Sequence, residues 1–202
     1  MSFLVMPRVR RWLRRDEPAG TSPDSATCQS CGASLSPTHQ HLVDLASRAF
    51  VCVCRPCWLT LPIARDSVYR AIPENRARRA DAVVSEHEWE EIQIPVGVAF
   101  FFRNSTLDAV VTCYPSPAGP VESQLPVGDA PWARRLAPDV EALLVRRTHR
   151  ATESFVVPID VAYELVGRVR RSWSGFGARA EVDRLLDEFF QQLERETEGV
   201  SV

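Results

Sequence analysis

The chain contains no lysine, and all 24 of its basic residues are arginine. That absence reads first as a GC-rich coding bias and only second as a preference for bidentate contacts. It also has no charge excess: 26 acidic residues leave a net charge of −2. A protein so balanced carries no whole-molecule field that would draw it to nucleic acid or to a membrane. No apolar run approaches the length that spans a bilayer, so a transmembrane helix is not expected. There is no glycine-rich phosphate loop, no paired-carboxylate signature and no internal repeat. A secretory signal is not expected either. Met1–Met6 is apolar, but the charges follow it instead of preceding it, and Arg10–Arg11 lacks the apolar stretch of a twin-arginine signal. The cytoplasm is the expected compartment.

What is present fits a globular protein. At 202 residues with 45% hydrophobic residues, the chain holds one domain, or one domain plus a small module. Its charge is uneven. Arg8, Arg10, Arg11, Arg14 and Arg15 crowd the start without an acid among them, whereas Glu181, Asp183, Asp187, Glu188, Glu194, Glu196 and Glu198 dominate the end. Two solvated helix faces account for both patterns. A basic arm docking on an acidic partner is the sharper alternative.

Pattern and punctuation divide the chain into three parts: residues 1–26, a basic arm and linker; 27–65, a cysteine module; and 66–202, a larger domain. Residues 3–15 have the periodicity of a short amphipathic helix, and Asp16 to Thr27 reads as a linker. His39 to Leu45 and Ala49 to Cys54 alternate on either side of Ala46-Ser47-Arg48, a hairpin signal. Pro56 suits a first helical turn and places Cys57 near a helix N-terminus. Further on, Ser85 and Glu88 have capping-box spacing. Val96 to Phe102 and Ala109 to Tyr114 read as paired strands, Pro115 to Pro120 as a rigid loop, and Asp139 to Arg147 and Ser154 to Val157 as two more strands. Ile159 to Trp173 and Ala178 to Glu198 have helical periodicity, with a break between them. Strands first and helices last imply an α+β fold: a small treble-clef or zinc-ribbon module, then an antiparallel sheet packed by C-terminal helices.

Specific chemistry is written in one place. Cys28 and Cys31, then Cys54 and Cys57, form two C-x-x-C pairs. Clustered cysteines in a reducing compartment bind metal more often than they form disulfides. Four thiolates at this spacing can surround one tetrahedral ion, and a closed set of four is structural instead of catalytic. Gly32 suits the tight knuckle after the first pair. The helix N-terminus should favour thiolate at the second. Cys52 lies two residues before Cys54 and is either a substitute ligand or a spare buried thiol. His39 and His41 share a strand face nearby and are alternative ligands, outer hydrogen-bond partners or plain structural residues. Zinc is the expected metal and iron the alternative. Cys28-x-x-Cys31-Gly32 resembles the first half of a rubredoxin iron site, but Pro56 is shifted by one and Trp58 stands where that pattern has glycine.

Elsewhere the plain reading is the better one. Cys113 would need His87 or His149 to act as a nucleophile, and no spacing demands it. Asp160 suits a helix start. Arg168, Arg170 and Arg171 beside Trp173 read as a polar helix face rather than a nucleic-acid surface. No catalytic residue is expected, and an enzyme is the less favoured class.

Several segments together resemble a family of uncharacterised bacterial proteins encoded beside nickel–iron uptake hydrogenases. They are the two cysteine pairs, His39-Gln-His41-Leu42, Ala99-Phe-Phe-Phe-Arg103, Tyr114-Pro-Ser-Pro-Ala-Gly119, Pro138-Asp-Val-Glu-Ala-Leu-Leu144, Val157-Pro-Ile-Asp160 and Tyr163-Glu-Leu-Val-Gly167. The resemblance runs from about Cys28 to Phe190 and leaves the basic arm outside. It implies an accessory role through protein contacts, with a hydrogenase subunit or maturation factor as partner. A rubredoxin-like one-electron carrier and a zinc-module nucleic-acid binder are the alternatives.

Overall fold

The computed structural model describes residues 26–75, 78–79, 84–91, 94, 97–123, 131–149, 151–173 and 178–198. The expected helix over 3–15, most of the linker and the break at 174–177 lie outside the described residues. The chain divides after Ile72 into two compact units.

The first unit opens with a knuckle. Thr27 bridges Ser34, Cys28 N–H donates to Ala33 O and Gly32 N–H donates to Cys28 O. Gly32 has φ of 75°, the left-handed conformation that its missing Cβ makes inexpensive. Strand β1 (Gln40–Asp44) then pairs antiparallel with β2 (Ala49–Val53). The turn between them is closed by Asp44, whose Oδ1 accepts from Ala46 N–H and Ser47 N–H. Helix α1 (Arg55–Thr60) follows at once, with Cys54 at its N-cap and Pro56 in its first turn. Strand β3 (Tyr69–Ala71) pairs with the other edge of β1, giving the order β2-β1-β3. A boundary at 65/66 would cut β3 from this sheet; its pairing keeps it in the first unit. Knuckle, hairpin and helix occur in the expected treble-clef order. The core is small: Cys28, Leu42 and Val53 are buried, with Val51, Trp58 and Leu61 packed around them.

The second unit is a six-stranded antiparallel sheet. Its strands are β4 (Arg78–Arg79), β5 (Val98–Asn104), β6 (Ala109–Ser116), β7 (Gly119–Ser123), β8 (Glu141–Arg147) and β9 (Thr152–Pro158), in the order β4-β9-β8-β5-β6-β7. Helix α2 (Glu86–Glu91) precedes β5, a 3₁₀ turn (Ala133–Arg135) precedes β8, and α3 (Ile159–Ser172) and α4 (Ala178–Glu198) close the chain. The capping box holds: Glu88 accepts from Ser85 N–H and Glu88 N–H donates to Ser85 Oγ.

The sheet is covered on both faces. Alternation sends Phe100 and Phe155 to one side, where they meet Tyr163 of α3 and Phe190 of α4 at ring separations of 5.2 and 6.0 Å. Ala99, Phe101, Leu143 and Val145 point the other way, against Val84, Trp132, Ala133 and Leu136. This is why Val98–Phe102 reads as an unbroken apolar run: every one of those residues is buried. On α3 the buried positions are Ile159, Ala162, Leu165, Val166 and Val169, while Val161, expected on that face, is half-buried.

One expectation needs correction. Pro115 to Pro120 is not a loop. Strand β6 runs through Ser116, Pro117 and Ala118 make the turn, and β7 starts at Gly119 with φ of 113°. Pro115 and Pro120 face each other in register, next to the closing pair Ser116 and Gly119. Next to a hydrogen-bonded closing pair, neither proline owes the other a ladder bond; beyond Pro120 lies the sheet edge, and on the side of Pro115 the pairing of β6 with β5 has already stopped at Cys113.

Candidate metal centre

The knuckle, the end of β2 and α1 converge on four sulfurs. Cys28 and Cys31 come from the knuckle, Cys54 from the N-cap of α1 and Cys57 from its first turn. All four Sγ atoms lie within 4.8 Å of one another, and Cys31 Sγ is 3.6 Å from Cys54 Sγ. A tetrahedral ion with metal–sulfur bonds of about 2.3 Å sets its sulfurs about 3.8 Å apart. The thiols are not joined as disulfides. Cys28 is buried, Cys54 and Cys57 are half-buried and Cys31 is exposed.

Local hydrogen bonds hold this geometry. Gln29 N–H donates to Cys52 O at 2.9 Å, and Cys52 N–H donates to Gln29 Oε1 at 2.6 Å. The knuckle is thereby fastened along the outer edge of β2. The Trp58 indole Nε1–H donates to Ile72 O at 3.1 Å, and the Arg55 guanidinium stacks 4.6 Å above the Trp58 ring, fixing α1. The sequence singles out neither Gln29 nor Trp58 for these tasks. A glutamine between two cysteines has no pattern that announces a latch.

The thiols are not equivalent. Burial pushes the Cys28 thiol up, but backbone N–H groups of Cys31, Cys54 and Ser30 outweigh it and bring it down to about 6. For Cys57, the Ser30 hydroxyl acts downward, yet neighbouring Cys54, burial, Cys31 and Cys28 together push it up to about 12. Cys31 lies above its ordinary value: the Ala33 N–H acts downward, but Cys28 and Cys54 prevail. The expected gain in thiolate character at the helix N-terminus is therefore not found at Cys57. A helix of six residues has little dipole to offer, and the neighbouring thiols together with burial exceed it. The Cys28 thiolate forms readily, and those of Cys31 and Cys57 need a cation among them.

Cys52, His39 and His41 are not grouped with the four sulfurs. They form a separate group with ligand atoms within 4.8 Å of one another. Strand alternation would put Cys52 and Cys54 on one face, but β2 ends at Val53 and Cys54 turns into the core with Leu42 and Val53.

The remaining candidates stay structural. Cys113 is fully buried, and burial, with the Glu122 charge, pushes its thiol well above its ordinary value. It lies toward Tyr163 of α3, which hydrogen-bonds it, while Trp89 of α2, the helix that carries His87, packs on the opposite face. Asp160 Oδ1 accepts from Val161 N–H in the first turn of α3. Arg168 pairs with Glu164 at 2.6 Å and covers the Phe189 ring. Among the described residues no helix is long and apolar enough to cross a membrane.

No curated protein and no solved structure matches the chain. A family model does, over residues 27–197, a span that opens one residue before Cys28 and takes in both units. By that match the chain belongs to DUF5947, a family of unknown function.

Proposed function

We propose that this chain is a zinc-binding accessory protein supporting the maturation or assembly of nickel–iron hydrogenase through protein contacts, in a reducing compartment where its thiols persist. The observation that carries the metal reading is the sulfur cluster, four Sγ atoms within 4.8 Å of one another on two separately built elements, the knuckle and the start of α1. Separations this short suit a single ion rather than a multi-iron cage, which spreads its thiolates around several atoms. Four protein ligands leave no open position, so the ion folds the module and does not act on a substrate. The hydrogenase setting rests on the resemblance of the segments from Cys28 to Phe190 and on no feature of the site. A second reading has one observation in its favour. Cys31 is exposed, and an exposed thiolate on iron would give a rubredoxin-like carrier a short path for its electron.

Metal analysis of the purified full chain tests both. Zinc at the four-thiolate site of a colourless protein is expected, and a red, iron-bearing protein overturns zinc. Cys54→Ser should lose this ion, and Cys52→Ser should keep it at the four-thiolate site. For the biological role, deleting the gene should lower uptake-hydrogenase activity. Wild type should restore it and Cys54→Ser should not; unchanged activity in the deletion strain overturns the assignment.

A further inference from the structure

The opposite face of the hairpin carries a second constellation. Cys52 lies in register with His41 across β1 and β2. Both backbone groups of Cys52 are bonded outward to Gln29, and His41 O accepts from Ile72 N–H on its other side. The pair is thus a non-hydrogen-bonded one, the kind in which cross-strand side chains approach most closely. His39 is two residues before His41 and shares its face. Its ring lies 4.8 Å from that of His41, edge to face. The apolar core uses the alternate residues, Leu42, Val51 and Val53, so the two faces of one hairpin carry different chemistry.

The state of His39 is the telling detail. Its Nδ1 is 3.0 Å from Ser36 O. A carbonyl only accepts, so Nδ1 carries the proton and Nε2 carries the lone pair. That Nε2 is buried with no hydrogen-bond partner among the described residues. A buried acceptor without a partner costs free energy unless something fills the position. A backbone carbonyl on one ring nitrogen and a lone pair on the other is how metal-binding histidines are oriented.

We infer that His39, His41 and Cys52 form a second site, for a divalent transition-metal ion of the zinc type, with three protein ligands and a fourth position open to solvent or a small anion. Two imidazoles and one thiolate suit a borderline-soft ion. An ion bonded at about 2.0–2.1 Å to nitrogen and 2.3 Å to sulfur needs ligand atoms about 3.4–3.6 Å apart. From separations within 4.8 Å, the side chains reach it by drawing in by about 1.4 Å or less. Cys52 is buried while both histidines are half-buried, so the site opens on the histidine side.

The test is an anaerobic cobalt(II) titration of the reduced full chain, followed by visible absorption. Two equivalents should bind. The first should show the intense charge transfer of four thiolates. The second should show weaker charge transfer from one thiolate, and azide should shift its bands and leave the first unchanged. Cys52→Ser and His41→Ala should each weaken the second equivalent more than about 100-fold, since losing even an outer partner of a ligand costs 10–100-fold. The first equivalent, unchanged in both variants, reports that the module is folded. A single equivalent in the wild type overturns the site. So does a second equivalent whose spectrum survives both substitutions.

Discussion

The two units solve the same problem with different means. In the first, three buried residues, Cys28, Leu42 and Val53, anchor a three-stranded sheet, and four sulfurs converge beside them. In the second, a six-stranded sheet is buried on both faces by aromatic and aliphatic side chains. A small module removes little apolar surface from water to offset chain entropy, and an ion among the four sulfurs would supply the difference. A two-sided sheet can do so alone. The difference teaches that stability is local to each unit: whatever breaks the ion should spare the second unit, and whatever hollows the second should spare the ion.

The largest effect should come from removing the metal. A strong chelator, or Cys54→Ser, should abolish hydrogen-exchange protection across 26–72 and leave β5, β8 and α3 protected. Structural zinc in comparable small modules contributes about 10 kcal/mol or more of apparent folding free energy. Loss of protection in both units together would break the comparison. The converse is Phe101→Ala. Phe101 is fully buried and meets the Trp132 ring at 5.4 Å. Truncation should cost the second unit about 3–5 kcal/mol in denaturant melts, with metal content unchanged.

Acidity sharpens the contrast, because only the first unit depends on thiolates. Cys31 lies above its ordinary value and Cys57 stands at about 12, so both carry protons at neutral pH. An entering ion displaces at least those two. Affinity should therefore rise with pH, by about two orders of magnitude per unit near neutrality, and the ion should be lost as pH falls. Competition with a coloured chelator at several pH values measures the slope; a flat profile would remove these thiols from the ligand set. The smallest effect should be Gly32→Ala. No atom lies within 4 Å of the added Cβ, so the cost is the left-handed backbone alone, about 1 kcal/mol. It should appear as easier loss of the ion, with the second unit's melt unmoved.

Much of this was legible in residues whose local chemistry is self-sufficient. The capping box at Ser85 and Glu88, Pro56 in a first helical turn, and the doubled cysteine pairs each state their structure within a few positions. Two of the four-residue hairpin turns, those after β1 and β5, share a device: Asp44 and Asn104 accept from two backbone N–H groups of the turn that follows. What escaped depends on partners distant in sequence. Strand β3 has three residues and β4 two, too few to show a period. The prolines around Ser116 looked like a loop because proline usually leaves a sheet, and only register shows that their missing donors are not needed. Cys52 was legible as a thiol but not as a member of its own group. Its outward bonds to Gln29, which decide how close it comes to His41, join residues 23 positions apart.

The Gln29 latch also bears on how copies of this protein treat one another. β2 is an outer strand, and outer strands invite pairing with a second molecule. Gln29 occupies both outward backbone groups of Cys52, so the knuckle doubles as a guard on that margin. Because the same knuckle carries Cys28 and Cys31, an ion held by the four sulfurs would also keep the guard in place. A chain stripped of metal would release the knuckle and bare the strand, turning a lost ligand into a tendency to self-associate.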